Sequence, residues 1–359
     1  MTTAPLSDQS AVDELGLRLA EAPWIALDTE FMRERTYRAQ LCLLQFALPG
    51  DALCVDPLAD VELAPLRAPL TAGAPKILHA ARQDLEVLWP AFGPLSPVFD
   101  TQVAAALAGF PAQVGYGELV QKVLGVQVEK GQTRTDWSRR PLSAAQIHYA
   151  IEDVAHLAPL REELLERLDR LGRLGWLEEE LAGLADAGKL FVDPENAHER
   201  LRFGGELDPH RQRLLKALAE WRERRAIEKD RPRSWILDDA ALRALVLDPP
   251  RSAVELARMP ELTPGFVERS GRAILGLVQA AGLPAELPPP PARPRPDPVV
   301  QARVKRLAAI VQKRAGELEM ASEVLATRRD LEAIARRGDL APLAGWRRAV
   351  LGEELLAAL

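Results

Sequence analysis

The chain has 359 residues, too many for one typical domain and suited to two or three. Its composition, 47% hydrophobic and 27% charged, excludes a disordered or low-complexity protein and leaves material for sizeable cores. A net charge of −6 argues against nucleic acid only as an average. Acidic groups dominate the first 200 residues, and basic ones cluster later, where a local basic face can bind phosphates. No apolar run approaches the roughly 18 residues of a membrane span, and Met1 to Glu14 lacks the basic start and apolar stretch of a signal peptide. The expectation is a cytoplasmic protein with no membrane contact and no obligate protein partner. Cys42 and Cys54, each in an apolar strand-like segment, are expected as buried free thiols.

Trp24 to Asp28 is a short apolar run ending in a carboxylate. Leu41 to Ala47 and Ala52 to Val55 follow, separated by the turn signal Pro49-Gly50-Asp51, and the three predict an antiparallel meander. Lys76 to His79 is a fourth strand leading into a helix from Ala81 to Trp89, and Val98-Phe99 is a fifth. Helical segments around Thr101–Leu107 and Tyr116–Leu124 complete a mixed sheet covered by helices. Ser143 is a candidate N-cap, and a helical period runs on to about Leu171. Further helical patterns occupy Leu215–Lys229, Asp239–Leu245, Ala253–Arg258 and Thr263–Ala281. The proline tract Leu283–Pro298 excludes helix and predicts an extended spacer, after which Val299–Leu359 is helical again. Boundaries are therefore expected near residue 200 and inside the proline tract.

Three acidic features carry the chemistry. Asp28-Thr29-Glu30 ends the first strand, where residues two apart share a face, so both carboxylates can converge on one site. Asp84 lies in the first turns of the helix after His79, where an acid also simply complements the helix dipole. His79 reads as a hydrogen-bonding residue rather than a metal ligand. Tyr149 and Asp153 stand four apart on a helix, on one face and one turn apart. Asp28, Glu30, Asp84 and Asp153 would bring four carboxylates from separate elements, a set that repels itself unless cations neutralise it. Oxygen-rich sites of this kind suit magnesium or manganese. Two such ions roughly 4 Å apart can activate a water and stabilise the leaving oxygen of a phosphodiester, with Tyr149 orienting or helping to deprotonate that water.

The order D-T-E, then H-A-A-R-Q-D-L-E, then Y-A-x-x-D resembles the three exonuclease motifs of the DEDD superfamily in its tyrosine branch. The stretch Lys130–Leu142, together with Phe31, Arg33, Thr36, Tyr37 and Gln45, resembles the ribonuclease D family in particular. Residues 208 to about 283, with Trp221–Ala226 and Pro232–Asp239, resemble a helicase-and-RNase-D C-terminal (HRDC) domain, and residues 299–359 a second, more divergent copy. The resemblance implies an RNase H-like (DnaQ-like) exonuclease domain over 1–200 and a first HRDC domain over 201–285. A Pro-rich linker over 286–298 and a second HRDC-like domain over 299–359 would follow. It further implies two divalent ions, stepwise release of nucleoside 5′-monophosphates, and RNA substrates such as the 3′ ends of transfer-RNA precursors.

Lys130, Arg134, Arg139 and Arg140 lie just upstream of the Tyr149 helix and are candidates to hold phosphates, with Trp137 as a candidate for stacking on a base. Arg222, Arg224 and Arg225, in the dense cationic run from Arg211 to Arg233, are candidates for a phosphate-binding face, with the Trp221 and Trp235 rings expected in the core. Gln45 and Phe46 are expected core-side. A DNA exonuclease and a catalytically retired RNA-binding adaptor are the alternatives; an adaptor predicts a missing acid, and none is missing.

Overall fold

The computed structural model describes residues 4–128, 131, 135–201, 203, 207–284 and 297–359. By compactness the chain forms two units: Met1–Met32 with Leu41–Leu190 and Pro296–Leu359, and Arg33–Gln40 with Phe191–Arg295.

The first unit is built on five strands: β1 (Ile25–Met32), β2 (Gln40–Leu48), β3 (Asp51–Val55), β4 (Lys76–Leu78) and β5 (Val98–Asp100), in the spatial order β3-β2-β1-β4-β5. β2 and β3 form an antiparallel hairpin, Leu48 opposite Asp51, closed by Gly50 at φ 82°, a conformation glycine adopts without steric cost. β4 runs parallel to both β1 and β5. The sheet is therefore mixed, and the short apolar runs of the sequence are its strands. Ile25, Ala26 and Leu27 are fully buried ahead of Asp28, so the acid-bearing end of β1 grows out of a rigid stem.

Its helices are α1 (Gln9–Glu21), α2 (Ala64–Thr71), α3 (Arg82–Phe92), α4 (Thr101–Leu107), α5 (Tyr116–Leu124), α6 (Ala144–Ala155), α7 (Leu157–Arg170), α8 (Leu174–Leu181) and α9 (Ala187–Leu190). Ser143 caps α6 in a capping box with Gln146, as its position before an apolar period predicts. Cys42 and Cys54 are buried thiols, and burial pushes them up to about 11 and about 12. Gln45 and Phe46 are fully buried, as expected.

The second unit holds a 3₁₀ turn (Pro194–Arg200) and α10 (Pro209–Lys229), α11 (Arg233–Ile236), α12 (Asp239–Leu247), α13 (Ala253–Ala257) and α14 (Pro264–Ala280). It has its own core, in which Leu214, Leu215 and Leu218 of α10 meet Leu242, Leu245, Phe266 and Ile274. The loop 33–40 belongs to this unit by its bonds: the Tyr37 hydroxyl donates to Glu223, and the Tyr37 and Arg38 amides both donate to Asp230 at 3.0 and 3.1 Å.

The segment 299–359 is helical, as α15 (Pro298–Glu317), α16 (Ser322–Leu325), α17 (Arg328–Arg337) and α18 (Gly345–Ala357). Its Leu307, Val311, Ile334 and Leu351 share one core with Ala26, Phe99, Leu107 and Leu164 of the first unit. Two polar ties and one close backbone approach accompany that burial. Arg173, 5% exposed, donates to the Leu107 and Leu318 carbonyls at 2.7 and 2.5 Å. Trp346 stacks on Trp176 at 4.5 Å between centroids and donates its indole N–H to Glu180 at 2.8 Å. Gly109, at φ 97°, lies where an added Cβ would stand 2.6 Å from the Glu319 carbonyl. Among the described residues no helix is long and apolar enough to cross a membrane.

Candidate active site

Three elements of the first unit deliver the acids. Alternation along β1 buries Thr29 and leaves Asp28 and Glu30 together on the other face. Asp84 sits in the first turn of α3, 7% exposed, and accepts a hydrogen bond from the Thr29 hydroxyl at 2.5 Å. α6 presents Tyr149 and Asp153 one turn apart, with the Tyr149 hydroxyl bonded to the Asp153 carboxyl.

The four carboxyl groups share one electrostatic field. Burial, then the charges of Asp84, Asp153 and Glu30, raises Asp28 well above the ordinary carboxylate range. Burial, then Asp153 and Asp84, raises Glu30 to about 8. Burial likewise raises Asp84 and Asp153, against the opposing hydrogen bonds from Thr29 and Tyr149. Tyr149 is raised by burial and then by the Asp153 charge, so its hydroxyl stays protonated. The acids are neighbours in field rather than a finished cage: among the described residues no three acidic, histidine or cysteine side chains are grouped so as to hold a metal ion. Oxygen donors from Asp and Glu nonetheless fit hard divalent cations, magnesium included, which need only one or two protein carboxylates and keep waters among their ligands.

Behind the acids stand His79, which the sequence marked as a hydrogen-bonding residue, and two groups that sequence reasoning passed over, Tyr116 and Asp100. The Tyr116 hydroxyl donates to the Glu152 carbonyl at 2.8 Å and accepts from the His156 amide at 3.2 Å, pinning the end of α6 beside Asp153. His79 bonds Thr101 at 2.9 Å and the Val114 carbonyl at 3.0 Å, and burial lowers its pKa, which keeps the ring neutral and structural. Asp100 is 3% exposed and accepts only from backbone amides. A lone Asp after an apolar pair, as in Val98-Phe99-Asp100, was the available signal.

The expected RNA-facing residues divide. Lys130 and Arg134 lie outside the described residues. Arg139 is exposed, with Asp136 at 3.1 Å. Trp137 does not face solvent: it is 2% exposed and packs with Cys42, Leu43, Ile147 and Ile151, its ring 6.2 Å from that of Tyr149. It seats α6 on the sheet, because a large apolar ring gains more from burial than from water. Arg140 is also inward, clamping Asp56 at 2.5 and 2.6 Å and the Cys42 carbonyl at 2.6 Å. In the second unit Arg222 is a strut, 6% exposed, donating to the Leu237 carbonyl at 3.1 Å and to Asp239 at 2.6 Å. Arg224 and Arg225 reach solvent while pairing with Glu220 and Glu228. Trp221 is half-buried against Phe266, whereas Trp235 is 58% exposed beneath Arg231, contrary to the expected core position.

A mixed sheet with four acids on two strand positions and two helices, one helix also carrying the tyrosine, defines a DnaQ-like 3′→5′ exonuclease. Comparison with known proteins agrees: residues 4–169 match a 3′-5′ exonuclease family and residues 211–278 an HRDC domain. The chain is 42% identical to ribonuclease D of Gluconacetobacter diazotrophicus, over 95% of this chain and 88% of that one. It is 40% identical to ribonuclease D of Xanthomonas oryzae pv. oryzae, over 96% and 95%. The crystal structure of Escherichia coli RNase D, an exoribonuclease involved in structured RNA processing, superposes with a TM-score of 0.88 at 30% identity, covering 100% and 99% of the two chains. The chain belongs to the ribonuclease D family of 3′→5′ exoribonucleases.

Proposed function

We propose that this exoribonuclease hydrolytically trims the 3′ ends of structured RNAs, transfer-RNA precursors among them, releasing nucleoside 5′-monophosphates. In this reading Asp28, Glu30, Asp84 and Asp153 hold two divalent ions, magnesium or manganese, and Tyr149 acts on the attacking water. One observation carries it: four acids from three elements lie in one field, with Tyr149 bonded to one of them. Bound in that field, such ions supply an activated water and stabilise the leaving oxygen of a phosphodiester. The chain contributes the placement. β1 holds Asp28 and Glu30 side by side, Thr29 fixes one oxygen of Asp84, and the protonated Tyr149 hydroxyl, bonded to Asp153, stands where its oxygen can orient a water.

The substrate class follows from the E. coli relative, an exoribonuclease of structured RNA processing. Arg139, Arg224 and Arg225, which keep exposed guanidinium groups, are the proposed phosphate contacts, with Lys130 and Arg134 shortly before Arg139 in sequence. A reducing cytoplasm suits the two buried thiols, and RNA is the one partner the reading needs. The test is digestion of 5′-labelled RNA and DNA of one sequence, with magnesium, with manganese and with chelator. Stepwise 3′ shortening of RNA that stops with chelator is expected; equal rates on DNA, or activity that survives chelation, would overturn it.

A further inference from the structure

Asp84 enters the site on a helix that lacks a side-chain cap of its own. The N-cap position of α3 is Ala81, which has no side-chain acceptor, and the turn before it places Ala80 at φ 56°, in the left-handed region that alanine rarely occupies. The amides of that turn are satisfied from a different strand. Ala80 N–H donates to Asp100 Oδ1 at 3.0 Å, and Ala81 N–H to Asp100 Oδ2 at 2.8 Å. The same carboxylate caps α4, accepting from Gln102 N–H at 2.8 Å and Val103 N–H at 3.4 Å. Strand register makes the arrangement possible, because Leu78 at the end of β4 lies opposite Asp100 at the end of β5. The turn leaving β4 thus passes directly beside the carboxylate.

We propose that Asp100 is a positioning residue for Asp84. It holds the left-handed turn at Ala80, the turn sets where α3 begins, and α3 places Asp84 against the Thr29 hydroxyl of the catalytic strand. Asp100 does not touch substrate: it is 3% exposed, and both of its oxygens are engaged by backbone amides. Without that clamp the backbone gains by relaxing Ala80 toward negative φ, which swings the first turn of α3 and carries Asp84 away from Thr29. The inference rests on reading Asp84 as one of the four acids of the site.

Asp100→Asn separates positioning from capping. Asparagine caps a helix as well as aspartate does, so Oδ1 can keep Gln102 and Val103. Its NH₂ group, however, faces the Ala81 N–H, donor against donor. The expected result in the full-length folded chain is a kcat lowered roughly 10- to 100-fold on labelled RNA, the scale of a small misplacement of a reacting group. KM should stay within about twofold, and calorimetry with manganese alone should show weakened binding. In an Asp84→Asn background the same substitution should weaken manganese binding little further, since its effect runs through Asp84. Unchanged kcat in Asp100→Asn, or an equal further loss in the Asp84→Asn background, would make Asp100 only a cap of α4 and overturn the proposal. Wild-type turnover by Asp84→Asn itself would instead remove the site assignment on which the proposal stands. Should Asp100→Asn fail to fold, Ala80→Val strains the same turn with Asp100 intact; a kcat loss at constant KM is expected, and unchanged kcat overturns the role.

Discussion

The molecule buries carboxylates in two opposite ways. In the first, Asp28, Glu30, Asp84 and Asp153 are raised by burial, and Asp28 and Glu30 further by the charges of the others. In the second, Glu223 is 1% exposed, yet it is held below the ordinary carboxylate range. The difference is what surrounds them. Glu223 accepts from Arg233 at 2.5 and 2.7 Å and from the Tyr37 hydroxyl, so the protein itself supplies the neutralising charge. A buried acid completed by its own chain is architecture; a buried acid set against other acids waits for positive charge from outside.

The largest effect should come from removing one acid of the first set. Asp153→Asn is expected to lower turnover by at least about a thousandfold, on the scale of losing a transition-state charge partner, while the metal-free protein melts at an equal or higher temperature. Near wild-type digestion would erase the distinction between the sets. Next comes Tyr149→Phe, expected to slow the reaction by roughly 10²-fold if the hydroxyl serves acid–base chemistry. Manganese binding by calorimetry should be retained; its loss would make Tyr149 part of the ion site rather than a partner of the water. The second set should behave inversely. Glu223→Gln leaves Arg233 and Tyr37 short of a partner and should cost about 2–3 kcal/mol in denaturant unfolding, with turnover of a short single-stranded RNA changed less than about twofold. A large activity loss at unchanged stability would sink that contrast.

The smallest effect is the pH dependence, and its sign separates the sets. A carboxyl raised in the folded state stabilises below its unfolded pKa, and that stability is lost as pH rises toward the raised value. The four acids should therefore make the metal-free enzyme less stable between about pH 4 and pH 8, each by at most roughly 1.4 kcal/mol per pH unit. Glu223, being lowered, contributes stability above its unfolded pKa that disappears only as pH falls through its folded value. Asp153→Asn should flatten the slope of stability against pH in the 5–8 window, and Glu223→Gln should leave that slope alone. Melting curves in chelator across the window decide it.

Much of the candidate site was legible because its geometry is local. Period two on a strand pairs Asp28 with Glu30, and period four on a helix pairs Tyr149 with Asp153. The order of the motifs then joined elements that no local rule connects. Asp100 drew no functional reading for the opposite reason, since the amides it binds belong to residues about twenty positions earlier. The arginine run misled because density of charge does not say which side of a helix it occupies. The buried stripe of α10 runs through Arg211, Leu214, Leu215, Leu218, Ala219 and Arg222. Arg222 stands four residues after Leu218, on the core face, a spacing already present in the sequence. Trp235 reads as core by residue type, yet it sits on a four-residue helix too short to bury a face.

The loop 33–40 leaves the strand that carries Asp28 and Glu30 and is fastened to the helical unit by Tyr37, Arg38, Glu223 and Asp230. The helical unit is therefore stitched from two stretches of gene that lie far apart. A stop codon near position 200 would also remove α15 to α18, whose apolar side chains complete the exonuclease core, and would orphan the loop that follows β1. An internal deletion of 208–284 spares that core but leaves Tyr37 with nothing to hold. What looks like a detachable cassette in the coding sequence is, in the folded molecule, an inset whose removal leaves a seam three residues from Glu30.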